Sequence, residues 1–362
     1  MSYDLAAAPA LRAARNRAMT DESDVLVAGW LFFVAFLVVA MVAVGGATRL
    51  TDSGLSITEW QPILGAIPPL NEADWQAALE KYREIPEYQL INKGMSLEAF
   101  QAIYWWEWAH RFLGRVIGLA YALPLAAFWF AGRIPPALRL AMLGVLALGG
   151  LQGFVGWYMV QSGLVERVDV SQYRLAMHLT LGFLILAALV RLAVAFLPSD
   201  PIARLRPVGA GARWLGRLLW FAILTQVVLG AFVAGTKAGL TYNTWPLMDG
   251  DLVPSGLWRL EPWYLNLSEN ITAIQFNHRT FAYVILGLSL VHAARLFATT
   301  DRVPAHWSGL ALTLMLFTQA GLGIWTLLAV DGAIPIGLGV AHQTVAALIF
   351  AVATWHVATL RA

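Results

Sequence analysis

The chain holds 362 residues with a formal net charge of +2; 59% are hydrophobic and only 13% charged. A soluble domain carries about 25% charged residues, so the composition excludes an ordinary soluble enzyme and points to a polytopic membrane protein. Cysteine is absent, which removes disulfides, thiolate catalysis, iron–sulfur clusters and covalent attachment through Cys-x-x-Cys-His, and the small net charge gives no sign of a nucleic-acid partner.

The first 26 residues are rich in Ala and Arg but include Asp4, Asp21, Glu22 and Asp24. Without an apolar run they are not a signal peptide, and that much acid argues against a mitochondrial transit peptide; a cytoplasmic tail is expected. Eight apolar stretches follow, near 27–48, 103–130, 138–160, 172–197, 214–236, 273–298, 307–329 and 335–359. Each reaches the roughly 20 residues that cross a bilayer as a helix, so the fold class is all-α. The 16 Trp, many near the ends of these stretches, suit interfacial belts in contact with membrane lipid. An even number of spans puts both termini on one side. The loops on that side hold 13 of the 24 Lys and Arg, against eight in the opposite loops. The positive-inside rule makes the richer side cytoplasmic, in a bacterial inner membrane rather than a mitochondrial one.

The first outer loop, 49–102, is long, and 71–88 reads as an amphipathic surface helix. The outer connection 237–272 is rich in Trp, Pro and Gly. A cytoplasmic linker, 198–213, separates an N-terminal half, 27–197, from a C-terminal half, 214–362. The halves repeat each other. Gly54-Leu55-Ser56 leads to Trp60, as Gly239-Leu240-Thr241 leads to Trp245; Glu107-Trp-Ala-His110-Arg111 matches Gln275-Phe-Asn-His278-Arg279. His178 and His342 follow their partners by 68 and 64 residues. The order is the same in each half, so the two four-helix bundles are related by a parallel pseudo-symmetry.

Four histidines fall at one depth. His110, His178, His278 and His342 each lie about seven residues inside an outward-starting stretch, hence about 10 Å below the outer surface. A single such histidine reads as a polar anchor; a duplicated set at equal depth does not. Two imidazoles per half, on the second and fourth spans, suit the axial ligation of a haem iron. Zinc or copper would want three or four ligands. Gly114, Gly118, Gly182, Gly337 and Gly339 would let a flat macrocycle approach, unless they serve close helix packing. His292 and His356 lie about 21 Å deeper and read as snorkelling anchors, because the matching first-half positions are Pro124 and Leu192. Arg111, Arg115 and Arg279 stand near the ligands, as propionate partners or interfacial anchors.

The halves differ at one point. Glu107 precedes His110 by three residues and so shares its helix face; its counterpart is the neutral Gln275. A carboxylate beside a macrocycle can take a proton or stabilise developing positive charge; alternatively it pairs with Arg111 or Arg115. The asymmetry assigns chemistry to the first half and a permanent electron-transfer haem to the second.

With these residues in place the chain resembles the haem A synthases of mitochondria and related bacteria over nearly its whole length. The resemblance rests on Glu-x-x-His-Arg at 107–111, Asn-His-Arg at 277–279, Gly-Leu-Ser-Ile-Thr-Glu-Trp at 54–60 and His342-Gln343. It implies oxidation of the C8 methyl of haem O to a formyl group, giving haem A for cytochrome oxidase. It also implies that His110 and His178 hold the haem O substrate, that His278 and His342 hold a haem b cofactor, and that Glu107 is the catalytic carboxylate. The partners it implies are a haem O synthase, an electron donor, cytochrome oxidase assembly factors and further copies of the chain. The cysteine pair of some bacterial relatives is missing here. A non-catalytic dihaem cytochrome b linked to quinol would explain the histidines equally well, but not the carboxylate in one half alone. A transporter with a histidine relay would explain the repeat but not the paired depths.

Overall fold

The computed structural model describes residues 7–165, 167–197, 208–300 and 303–360; most of the expected linker, 198–207, lies outside them. Among the described residues there is no strand, and eight helices are long and apolar enough to cross a membrane. In chain order these spans are Asp24–Leu50, Leu97–Phe130, Pro136–Val165, Gln172–Ala195, Ala210–Gly235, Ile271–Thr299, Val303–Leu328 and Ile336–Thr359. Each lies within a few residues of its sequence expectation except the second, which starts six residues earlier than 103. The early start has a local cause. The Ser96 side chain accepts a hydrogen bond from the amide of Ala99, capping the helix. The added turns then bury Phe100 and Tyr104 in a small core outside the membrane, with Leu55, Leu79, Tyr82 and Tyr88. The surface helix expected at 71–88 is present as Glu72–Arg83, capped by Asn71, followed by the short helix Pro86–Leu90.

The four helices of each half form a closed ring. The first span packs on the second and the fourth, and the third packs on both of those as well. The fifth to eighth spans repeat this order. In both rings the two histidine-bearing spans are diagonal and share no extended contact, so they face each other across the bundle axis. The rings join through the first, fourth, fifth and eighth spans. There the main core lies, with Leu31, Leu186, Leu189, Leu219 and Phe350 fully buried. The second and third spans instead turn Leu123, Phe130 and Leu140 outward, as lipid-facing helices do. Gln343 reaches from the eighth span to the carbonyl of Val42 in the first, at 3.3 Å. Gly46 opens that contact, since a Cβ there would stand 2.8 Å from the Gln343 amide oxygen.

Candidate functional site

All four histidines sit alike in the helix packing, and glycine explains how. A Cβ at Gly45 would lie 3.0 Å from His110, at Gly156 2.9 Å from His178, at Gly230 3.2 Å from His278, and at Gly323 2.8 Å from His342. Each imidazole therefore packs on bare backbone of the preceding odd-numbered span. The glycines picked from the sequence play other parts: Gly118 and Gly337 face open space, Gly339 accommodates Leu50, Gly114 contacts Met41 and Gly182 contacts Gln152. The missed signal was the spacing Gln152…Gly156, Gln226…Gly230 and Gln319…Gly323, four residues apart in alternate spans. Those glutamine amides donate to the histidine carbonyls at 3.1 Å (Gln152 to His178), 2.9 Å (Gln226 to His278) and 2.9 Å (Gln319 to His342).

The pairs expected from the repeat are brought together. His110 and His178 stand on the diagonal spans of the first ring, and His278 and His342 on those of the second, each pair facing across the bundle axis. Nδ1 of His178 and of His278 is buried without a hydrogen-bond partner. Among the described residues no three His, Cys, Asp or Glu side chains gather as a metal cluster. Two half-buried imidazoles on diagonal helices, with glycine beside each ring, fit a macrocyclic iron held from both faces and do not fit a four-coordinate zinc.

Glu107 is buried, 3% exposed, and fully engaged. Its Oε1 accepts from Arg111 Nε at 3.0 Å and Nη2 at 2.6 Å. Its Oε2 accepts from Ser56 Oγ at 2.8 Å and from the Ile57 amide at 2.7 Å. The pairing with Arg111 is thus real, and the carboxylate also ties the outer loop to the second span. In the other half Gln275 keeps the position with reversed polarity. Its amide donates to the carbonyls of Ala238 at 3.0 Å and Thr241 at 2.6 Å, while its oxygen accepts from Arg279 at 3.3 Å. The same cage is therefore built twice, once around an acceptor and once around a donor.

The guanidiniums hold backbone. Arg111 donates to the carbonyls of Ile57 and Glu59, Arg115 to those of Gln61 and Pro62, and Arg279 to those of Tyr242 and Thr244. Each fastens the loop after an odd span over its ring. Arg115 Nη1 and Arg279 Nε remain buried without partners. Arg49 and Lys237 join Asp52 and Asp169 in an ion cluster between the halves, with contacts from 3.1 to 3.6 Å.

Two sequence expectations are overturned at the opposite end of the second ring. His292 and His356 are not snorkelling anchors: both are buried, with Nε2 atoms 2.8 Å apart, and His356 Nδ1 lies 2.7 Å from Ser308 Oγ. A small neighbour permits this, since a Cβ at Gly216 would meet His292 at 3.2 Å.

The profile of the cytochrome oxidase assembly protein family matches residues 28–354. The chain is 49% identical to the haem A synthase of Brucella anthropi over 338 residues, 93% of either chain. It is 49% identical to that of Brucella ovis, over 93% of this chain and 92% of the relative. With the haem A synthase of Agrobacterium fabrum it shares 50% identity over 90% of this chain and 88% of the relative.

Proposed function

The chain belongs to the cytochrome oxidase assembly protein family, and from that membership and the two histidine pairs we propose that it is a haem A synthase, a membrane oxidoreductase that converts haem O to haem A. The observation that carries the reading is the unequal duplication: one cage around Glu107, its copy around Gln275. A second site with no ionisable group beside it suits a permanent cofactor, and the first suits a substrate undergoing chemistry.

In this reading His110 and His178 orient haem O, and His278 and His342 hold a haem b, which when bound supplies a one-electron redox centre. Converting a ring methyl to a formyl group withdraws four electrons; with water as the oxygen source, four protons leave as well. Glu107 is the chain's proton acceptor for them. One acceptor direction of its Oε2 opens when the Ser56 hydroxyl turns from the carboxylate to the Ile103 carbonyl, 3.4 Å away, while the Ile57 amide keeps the other. Arg111 holds Oε1 in place meanwhile. The loop pinned by Arg111 and Arg115 covers this edge of the ring and limits water there. Arg115 and Arg279, each with one unpaired donor nitrogen, are placed to meet propionates. We assign the face bearing these loops to the outside of a bacterial inner membrane, with both termini cytoplasmic. Haem O is then received from a haem O synthase within the bilayer and haem A passed to oxidase assembly factors, with an external electron partner and further copies of the chain as additional contacts.

The test is pigment extraction from the chain expressed in a host that makes haem O but no haem A. A haem that has gained one oxygen and lost two hydrogens supports the synthase. Haem B alone at two sites per chain would overturn it in favour of a dihaem electron carrier.

A further inference from the structure

Of the four helix pairs, three present the same arrangement and one departs from it. In each pair the odd span carries a side chain four residues before its glycine, and the even span carries a small residue four after its histidine: Gly114, Gly182, Ala282 and Ala346. Gln152 lies against Gly182 at 3.4 Å, measured to a Cβ built there; Met41 lies against Gly114 at 3.5 Å by the same measure. Met41 thus occupies the glutamine's place. Its thioether donates no hydrogen bond and accepts only weakly, so His110 has no equivalent of the amide contact made to His178, His278 and His342.

Three histidines have a carboxamide beside them, and His110 has a thioether instead. The carboxamide oxygens of Gln152, Gln226 and Gln319 are buried without partners. A partner held beside a ligating imidazole fixes the ring and makes it a better ligand. Gln152 and Gln319 bring their amide nitrogens to the rings of His178 and His342, at 3.3 Å and 3.2 Å, Gln226 holds the His278 carbonyl, and His110 has none of these contacts.

We infer that Met41 makes His110 the exchangeable ligand of the first site, whereas Gln226 and Gln319 lock both ligands of the second. This rests on the proposed ligation of haem by the two pairs. The physical consequence matches the difference between substrate and cofactor. A haem that must enter, react and leave needs one weak attachment, while a resident one needs two firm ones. Position 41 is therefore a positioning residue acting through His110.

Carbon monoxide tests this, because it binds ferrous haem only where a ligand yields. In the dithionite-reduced wild type we expect one CO-reactive haem of the two. Met41→Gln should slow or weaken CO binding by about 10- to 100-fold, the usual effect of adding or removing such a partner, with haem content unchanged. Gln226→Met should render the second haem CO-reactive. CO uptake insensitive to position 41, or a second haem that stays inert in Gln226→Met, overturns the inference; the latter arm decides if Met41→Gln fails to assemble. Protein purified without haem, or His→Ala variants that keep full haem content, would instead remove the ligation reading beneath it.

Discussion

Replacing Glu107 by Gln changes more than an ionisable group. The carboxylate accepts four hydrogen bonds, two from Arg111 and one each from Ser56 and the Ile57 amide. A carboxamide has one acceptor atom, so its NH2 must face either Arg111 or the Ile57 N–H, donor against donor. Hydrogen bonds to a charged group contribute about 1.5–3 kcal/mol each, and removing one partner of a buried pair costs about 3–5 kcal/mol. Arg111 keeps the carbonyls of Ile57 and Glu59 and is 20% exposed, which selects the low end, about 3 kcal/mol. At about 1.4 kcal/mol per tenfold, opening of the loop at 57–62 should become roughly 100-fold more frequent. Hydrogen exchange at the Ile57 amide, followed by mass spectrometry on the detergent-solubilised protein, reads this directly. Gln275→Glu should loosen 238–244 comparably, because its carboxylate would face the carbonyls of Ala238 and Thr241. Wild-type protection of Ile57 in Glu107→Gln would refute the cage argument. Loss of haem A formation with that protection intact would make the role of Glu107 purely chemical.

Further outcomes follow from the same contacts. Gly323→Ala should lower haem occupancy about 10-fold, because its Cβ would stand 2.8 Å from His342, whereas Gly321→Ala, with nothing within 4 Å, should not; equal occupancy by pyridine haemochrome would count against the cradle. Burial holds the Glu87 carboxyl up at about 7 in the fold, against 4.5 unperturbed, with Tyr82 donating to it at 3.0 Å. The folded state therefore binds that proton more tightly. Its stabilising contribution is complete below pH 4.5 and is lost as pH rises through about 7, up to roughly 3.5 kcal/mol at about 1.4 kcal/mol per unit. Glu87→Gln should flatten the outer-loop stability between pH 5 and 8, and an unchanged slope in thermal unfolding would dismiss the assignment. His356→Leu strands His292, while Ser308 keeps the Ala305 carbonyl; this costs about 1–3 kcal/mol for the unsatisfied group and leaves both haem spectra intact. Loss of the second haem in that variant would instead give His292 and His356 a ligand role.

Span positions, the duplicated order, the four histidines and the Glu107–Gln275 difference were legible in the chain itself. Apolar length and repetition are properties of one dimension, and a helix in lipid has no other way to satisfy its backbone. What lay beyond reach depended on which helix stands beside which. The glycines nearest the histidines are Gly45, Gly156, Gly230 and Gly323 on neighbouring spans, not the glycines of the histidines' own helices. The guanidiniums of Arg111, Arg115 and Arg279, read from the sequence as propionate partners or interfacial anchors, are largely occupied by loop carbonyls. His292 and His356, 64 residues apart, meet only because the sixth and eighth spans converge at that end of the ring. A side chain's partner across a helix interface is set by rotation and register between helices, and neither is written in the spacing along one of them.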